Sequence, residues 1–592
     1  MKNKILLSHV AVLTCALILA SCTGNENPGL PGETAPESID LILYNGHIVT
    51  VDENFSEAQA LAIAGDKLAA VGTDEEVVIL GNKNTRMIDL KGATVLPGIN
   101  DAHIHLAWWG LSLSQVDLRG KNIEEIQAAL VERVAQIQPG EVIRGVGWSE
   151  GSIGRMPTKE DLDKLTPENP VVFEEMGHAL WVNSKMLKLA GITNDTIEPT
   201  GVKFERDSAT GELTGVFHEA DQLFFAHIPK ISDARRKRAI VDAIEVLNRQ
   251  GVTSVTDPGV ASDGIALYEE LADAGSLSVR VSVHLRAGRS LLEAQKAVTN
   301  YVNVSKNRGT TNNLLTLRGI KIFMDGAPPG RTALMFDDYS CCPGEKGLLL
   351  YQGENEEQQI EEIFKSVEWL HRQGYQIGIH ADGDRSASIA IAALIRAMDN
   401  YPGNPDAPKT NDLRHYLIHG DLIRDEDIAL MAQWHIGLAI QPVITFRAGH
   451  LLLDLWGQDR GARHMATGLF IRAGVWTSLS TDAPIVPPNW KQNIEYAVLR
   501  ENKSSPGKVN GPQYRISVKD GIIAHTITPA YQDFQENIKG SIEEGKLADL
   551  VVIDEDILAI DPHRISDINT LMTIVGGNIV YQNSERFGED KY

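Results

Sequence analysis

Two histidines one residue apart, His103 and His105, follow an apolar run and a Pro97-Gly98 break in VLPGINDAHIHLAWWG, residues 95–110. Side chains two apart on an extended strand leave the same face, so this pair presents two imidazoles to one point. A strand ending in such a clamp must open onto a polar site, which few folds provide. On its own the motif is equally compatible with surface or satisfied core histidines. The deciding question is whether other potential ligands fall at the ends of other strands.

The middle of the chain alternates apolar strand-like runs with helical stretches, the pattern of a parallel α/β arrangement. Candidate strands cover 98–105, 171–174, 252–257, 317–325, 376–380, 414–419, 437–441 and 475–482, and eight is the number a TIM-type (β/α)8 barrel needs. Helical segments are expected over 123–138, 233–250, 356–373, 386–400 and 425–435. Residues 117–232 are too long for one βα unit and hold several glycine-rich turns, which predicts an inserted subdomain after the first barrel strand.

Both ends of the chain carry short β-rich runs. DLILYNG (40–46), HIVTV (47–51), ALAIAG (60–65) and KLAAV (67–71) are separated by turn residues, and LADLVVID (547–554) and TIVGGNIVY (573–581) repeat the pattern far downstream. This predicts a small composite β-sandwich of 39–97 plus 529–592, with the barrel over 98–528.

Apolar runs end in His103/His105, in His380 (GYQIGIHADGD), in His419 (LRHYLIHGD) and in Asp482 (VWTSLSTDAP). In a parallel barrel all strand C-termini open onto one face, so five candidate metal ligands converge there. Lys321, in RGIKIFMD, sits among apolar neighbours where an ammonium is costly and its pKa should fall. A neutral buried amine can take up carbon dioxide and offer a bridging carbamate; the alternative is an ordinary lysine paired with Asp325 or another carboxylate.

The first 21 residues read as an export signal: Lys2 and Lys4, an apolar stretch, then Leu19-Ala20-Ser21-Cys22. This resembles a bacterial lipoprotein signal, which implies lipidation at Cys22, a flexible tether over 22–38, and anchoring in the cell envelope, most simply the outer membrane, facing the periplasm or the exterior. The mature fold then keeps only the adjacent Cys341 and Cys342, as a vicinal disulfide or as two thiols. Asp plus Glu number 79 against 55 Lys plus Arg, a formal net charge of −24. That argues against nucleic acid or an anionic membrane surface as a partner and favours a neutral or cationic small-molecule substrate. Contact with a membrane is expected through the lipid alone, and a homodimer is left open.

Taken together, DLILYNGHIVTVD, LPGINDAHIH, GIKIFMDG, GIHADGDRSA, RHYLIHGD, QPV, LSTDAP and GSIEEGKLADLVVID resemble the metal-dependent amidohydrolase superfamily in content and order. The branch they look most like includes N-substituted formamide deformylase and the exoenzyme regulatory proteins. The resemblance implies a (β/α)8 barrel with a composite β-domain, and metal ligation by His103, His105, Lys321, His380, His419 and Asp482. One or two divalent ions, zinc by expectation, would lower the pKa of a water and polarise the scissile carbonyl, while Asp482 takes up and returns the proton. An amide (N-acyl or N-formyl amine) is the implied substrate; an ester, a lactone or a heterocycle undergoing deamination would use the same parts, and a non-catalytic binding lipoprotein is the remaining alternative. Trp108, Trp109, Trp148, His178 and Arg331 are pocket-wall candidates from their places near strand-end loops. Two departures from the branch pattern, the Pro pair in DGAPPGRTA (325–333) and Ala381-Asp382-Gly383-Asp384 after His380, bear on substrate identity.

Overall fold

Apolar runs ending in polar residues become the parallel strands of a barrel in a computed structural model, which describes residues 38–175, 178–304, 313–399, 411–503 and 505–587. The signal segment and Cys22 lie outside the described residues. Among the described residues, within the unit Ile39–Tyr592, the barrel strands are β1 (Ile99–Asp101), β2 (Val252–Val260), β3 (Arg280–Arg286), β4 (Leu315–Phe323), β5 (Gln376–Ala381), β6 (Tyr416–His419), β7 (Gly437–Ile440) and β8 (Thr477–Leu479). They hydrogen-bond in sequence order, each parallel to the next. Strands such as Gly437-Leu-Ala-Ile440 are buried along their whole length, because helices cover a parallel sheet outside and side chains fill it inside. The helices start where the sequence caps them: Ser232 accepts from Arg235 N before Asp233–Asn248, and Asn355 from Gln358 N before Glu356–Arg372.

Gly98, next to the Pro97 break, is required by packing rather than by conformation. A Cβ there would stand 2.1 Å from Thr253 Oγ1 on β2, so only glycine lets β1 enter the barrel at that height. Between β1 and β8 no ladder forms among the described residues. The gap is bridged instead by Asp482 N donating to His103 O at 2.8 Å and His105 N to Ala483 O at 2.9 Å. Asp101 completes the seam by accepting from Thr481 N at 2.9 Å and from its hydroxyl.

One strand assignment is corrected. Residues 171–174, expected in the barrel, belong to Val171–Glu175 of a six-stranded sheet in the insertion, where they pair parallel to Ile143–Val146 and antiparallel to Ala179–Val182. The barrel place is taken by β3, whose Ser282 and His284 alternate with Val281, Val283 and Leu285. That alternation reads as a half-exposed strand, yet all five residues are buried. His284 is accommodated as a neutral ring: burial pulls its pKa down to about 4, and the Tyr416 hydroxyl lies 3.2 Å from its Nδ1.

The insertion packs Trp148, Phe173 and Trp181 on one side of its sheet and Phe204, Phe217 and Phe224 on the other. The two ends of the chain meet in another six-stranded sheet, where Leu550–Ile553 runs antiparallel to Thr94–Pro97. That sheet shares a core with a four-stranded one containing Leu41–Tyr44 and Ala60–Ala64. Before reaching it, the chain lines the barrel floor, with Asp533 accepting from Thr256 Oγ1 and Asn100 Nδ2 and paired with Lys539.

Barrel and end sheet are joined by a buried bidentate pair, Arg280 Nε to Asp549 Oδ2 at 2.6 Å and Nη2 to Oδ1 at 2.9 Å. Removing one partner strands a buried charge, at a cost of about 3–5 kcal/mol, whereas replacing both by apolar groups is close to neutral. Arg280→Met should therefore lower the melting temperature by more than Arg280→Met with Asp549→Leu; equal losses would show that the pair is not what joins the two bodies.

Candidate metal centre

The strand C-termini open into a cavity of about 980 Å³. Lys321 near the end of β4, His380 on β5, His419 closing β6, Asp482 just beyond β8 and His105 beyond β1 all line it, and His103 lies fully buried behind them. The structure thus brings together all six residues expected as ligands. His103 Nε2 and His105 Nε2 stand 3.1 and 3.3 Å from Asp482 Oδ1. The His103 ring centroid is 5.3 Å from that of His419, which is 4.6 Å from that of His380. His103, His419 and Asp482 offer donor atoms within 4.8 Å of one another, and so do His380, Asp382 and His419. His419 and Asp482 adopt left-handed backbone (φ 72° and 59°), the kind of local strain that persists at functional positions.

The protonation states suit a cation. Burial, reinforced by the Lys321 charge, holds His103 well below the ordinary histidine range; burial and His419 do the same to His380, and burial takes His419 to about 4. All three rings are therefore neutral at pH 7, the form that ligates metal. Asp482 stays a carboxylate: burial works against it, but the flanking His103 and His105 hold it well below the usual range. Burial lowers Lys321 to about 7, opposed by Asp482 and Asp382.

Hydrogen bonds set which ring nitrogen is free. Gln441 donates its amide to Ala439 O and Ser480 Oγ, so its Oε1, 2.9 Å from His419 Nδ1, must accept, leaving His419 Nε2 as the lone-pair atom. His380 Nε2, 3.1 Å from Gly326 O, donates in the same way and frees Nδ1. Among the described residues His103 Nδ1 and Nε2, Lys321 Nζ, Asp382 Oδ1 and Asp482 Oδ1 are buried with no hydrogen-bond partner; the short His103–Asp482 approach lacks hydrogen-bond alignment. Buried polar atoms are normally satisfied, so unpartnered atoms on four neighbouring side chains fit a divalent ion.

Around this point Asp325 organises the β5 loop, accepting from Leu334 N, Asp382 N, Gly383 N and Ser386 Oγ. It is therefore bound to backbone and hydroxyl groups, not to Lys321. Gly383 allows the approach, since a Cβ there would meet Leu334 O at 1.9 Å. His178 reaches in from the insertion, its Nδ1 2.8 Å from Glu219 Oε1 and its ring 5.5 Å from that of His380. Burial opposes its charge, but Glu219 more than offsets this and raises its pKa. Trp108 lines the cavity beside His105.

The other three pocket-wall candidates lie elsewhere. Trp109 is buried in the barrel core, and Trp148 is buried in the insertion with Nε1 donating to Phe173 O at 3.0 Å. Arg331, in left-handed backbone, is bound to Glu345 and Glu205 outside the cavity lining. For the tryptophans, indole area favours burial over a wall position. Sequence reasoning missed Asp382, Asp421 and Gln441 as parts of the site. The first two carry a readable signal: each lies two residues after a predicted ligand, His380-Ala-Asp382 and His419-Gly-Asp421, the same spacing that singled out His103 and His105.

A family model for the Amidohydrolase family matches residues 86–581. Putative amidohydrolase YtcJ of Bacillus subtilis (strain 168) is 30% identical over 558 residues, covering 92% of this chain and 99% of its own. N-substituted formamide deformylase of Arthrobacter pascens is 27% identical over 565 residues, covering 92% and 99%. Among solved structures, an uncharacterized metal-dependent hydrolase from Pyrococcus horikoshii OT3 aligns with a TM-score of 0.69 over 88% of this chain and 99% of that one at 24% identity, a likeness of fold.

If Gln441 fixes the His419 tautomer, Gln441→Leu should weaken divalent metal binding about 10- to 100-fold, in line with other partners of ligating histidines. Trp148→Phe should leave metal affinity unchanged. Competition with a chromogenic chelator reads both, and unchanged affinity in Gln441→Leu would remove the tautomer argument.

Proposed function

The chain belongs to the amidohydrolase family, and on that premise we propose that it is a metal-dependent hydrolase of a non-peptide C–N bond, an amide of the N-acyl or N-formyl amine class. The observation that carries this reading is the set of orphaned buried donors, neutral imidazoles with an ionised Asp482, at the floor of a cavity of small-molecule size. His103, His105 and Asp482 would hold a cation on one side of His419, and His380, His419 and Asp382 on the other. Such an ion supplies acidity to water and polarises a carbonyl.

The chain's own groups supply the rest. Asp482 lies within 4.0 Å of His103, His105 and His419, so its carboxylate is fixed where it can take a proton from the attacking water. It returns that proton to the nitrogen as the C–N bond breaks, giving a carboxylic acid and an amine. Glu219, 2.8 Å from His178 Nδ1, raises the pKa of that ring and so favours its protonated form, whose Nε2–H can meet the carbonyl oxygen as negative charge develops there.

Lys321 extends the proposal. With Nζ unpartnered and its pKa at about 7, a large fraction is free amine at neutral pH. The free amine adds carbon dioxide, forming an N–C bond and releasing one proton, so that a neutral nitrogen becomes an anionic carbamate whose oxygens could serve as a further ligand. Lys321→Ala should then lose one metal per chain and most turnover, with short carboxylic acids restoring part of the rate. Full activity and unchanged metal content in that variant would make the lysine structural.

The direct test is a panel of N-formyl and N-acyl amines, esters, lactones and amino-heterocycles, run before and after metal removal. Chelation should abolish amine release and added divalent metal restore it; Asp482→Asn should cost about 100-fold or more in kcat, the scale of a lost general acid–base. Ammonia release from the heterocycles with inert amides would replace this reading with deamination.

A further inference from the structure

Four arginines line the cavity, and three of them are paired. Arg144 meets Glu174 at 2.6 Å, Arg236 meets Asp263 at 2.9 Å, and Arg289 lies 3.8 Å from Glu219 Oε2. Arg286, the last residue of β3, has neither an ion-pair nor a hydrogen-bond partner among the described residues. Its guanidinium instead lies 5.0 Å from the centroid of the Phe323 ring, and Lys321 Nζ lies 4.8 Å from the same centroid. Arg286 and Lys321 are register partners on β3 and β4, and the Phe323 ring is 5.5 Å from that of His380. The unpaired guanidinium therefore stands next to the reacting point, steered by a ring face that leaves its N–H fork free.

Arg286 is exposed to the cavity it lines, so water occupies its fork until a ligand displaces it, and an anion entering the cavity meets an unpaired guanidinium. Asp221, the acid whose charge acts on it, is itself pushed up to about 7 by burial and by Glu174 and Glu219, and so is a half-ionised partner at neutrality. No protein group described here completes the site, and the guanidinium fork matches a carboxylate in bidentate fashion.

We propose that Arg286 is an anion subsite and that the amide hydrolysed here carries a carboxylate close to the scissile C–N bond. The inference rests on the amide-hydrolase reading and deepens it, and it reverses the expectation of a neutral or cationic substrate drawn from the net charge.

The test pairs substrates that differ only in the carboxylate: N-acetyl-phenylalanine against N-acetyl-phenethylamine, and N-formylglycine against N-methylformamide. The full-length metal-loaded protein should prefer the carboxylate member of each pair by about 10- to 100-fold in kcat/KM, the worth of one charge-assisted contact. Arg286→Gln should collapse that ratio, and Arg286→Lys should keep part of it; a ratio is insensitive to the fraction of folded protein. Calorimetry with 3-phenylpropionate, which has no amide, reads the subsite without turnover, and its binding should weaken in Arg286→Gln. Amide turnover with no carboxylate preference, or a preference unchanged in Arg286→Gln, overturns the subsite and leaves the amide reading standing. Arg286-dependent binding of 3-phenylpropionate with no amide turned over keeps the subsite and overturns the amide reading. Absence of both turnover and Arg286-dependent binding overturns both.

Discussion

Everything at the barrel mouth depends on how the sheet closes between its first and last strands. A ladder there would be indifferent to side chains, but the join runs through the backbone of residues 101–105 and 481–483. Asp482 N is held by His103 O, His105 N by Ala483 O, and Thr481 by the buried Asp101 carboxylate. The bonds that complete the barrel are therefore the bonds that bring His103, His105 and Asp482 together. Loosening the seam would disperse the ligands, and for that reason the left-handed backbone at Asp482 can persist. Fold and site are one constraint at this edge.

The same economy runs through the outer contacts of the site. Asp325 gathers three backbone N–H groups and one hydroxyl to shape the loop after β5, and that loop sets Asp382 beside His380. Gln441, anchored by Ser480 and Ala439, fixes His419. The insertion contributes through His178, whose protonated form Glu219 favours. Barrel, loops and insertion each hold one part of a cavity that no single one of them could enclose.

Much of this was legible in the sequence because strand-end ligands announce themselves: an apolar run stopping at His or Asp is a strong local signal, and the five residues it picked out lie together at the barrel mouth, while Lys321 was picked out by its apolar neighbours. The barrel's eight strands were countable for the same reason, apart from β3. There Ser282 and His284, polar but buried, imitated an exposed face, while the wholly apolar start of Val171–Glu175 imitated a barrel strand. Residues chosen by type, such as Trp109 and Trp148, went into cores because apolar area decides their place. Arg286, whose role depends on what lies across the cavity, had no local signature. Net charge is a weaker guide to the site for a related reason: it sums over the whole surface, whereas a cavity responds to the one or two charges inside it.

The central claim is that His103, His105, Lys321, His380, His419 and Asp482 form one metal centre. Anomalous diffraction at the zinc edge, from crystals of the metal-loaded protein, tests it most directly. The account predicts one or two peaks at the floor of the cavity, about 2.0–2.2 Å from the histidine nitrogens and the Asp482 carboxylate, with density on Lys321 Nζ for added oxygen atoms when two ions are present. Zinc peaks found only elsewhere, with Lys321 ion-paired to Asp482 across an undisturbed site, would contradict it.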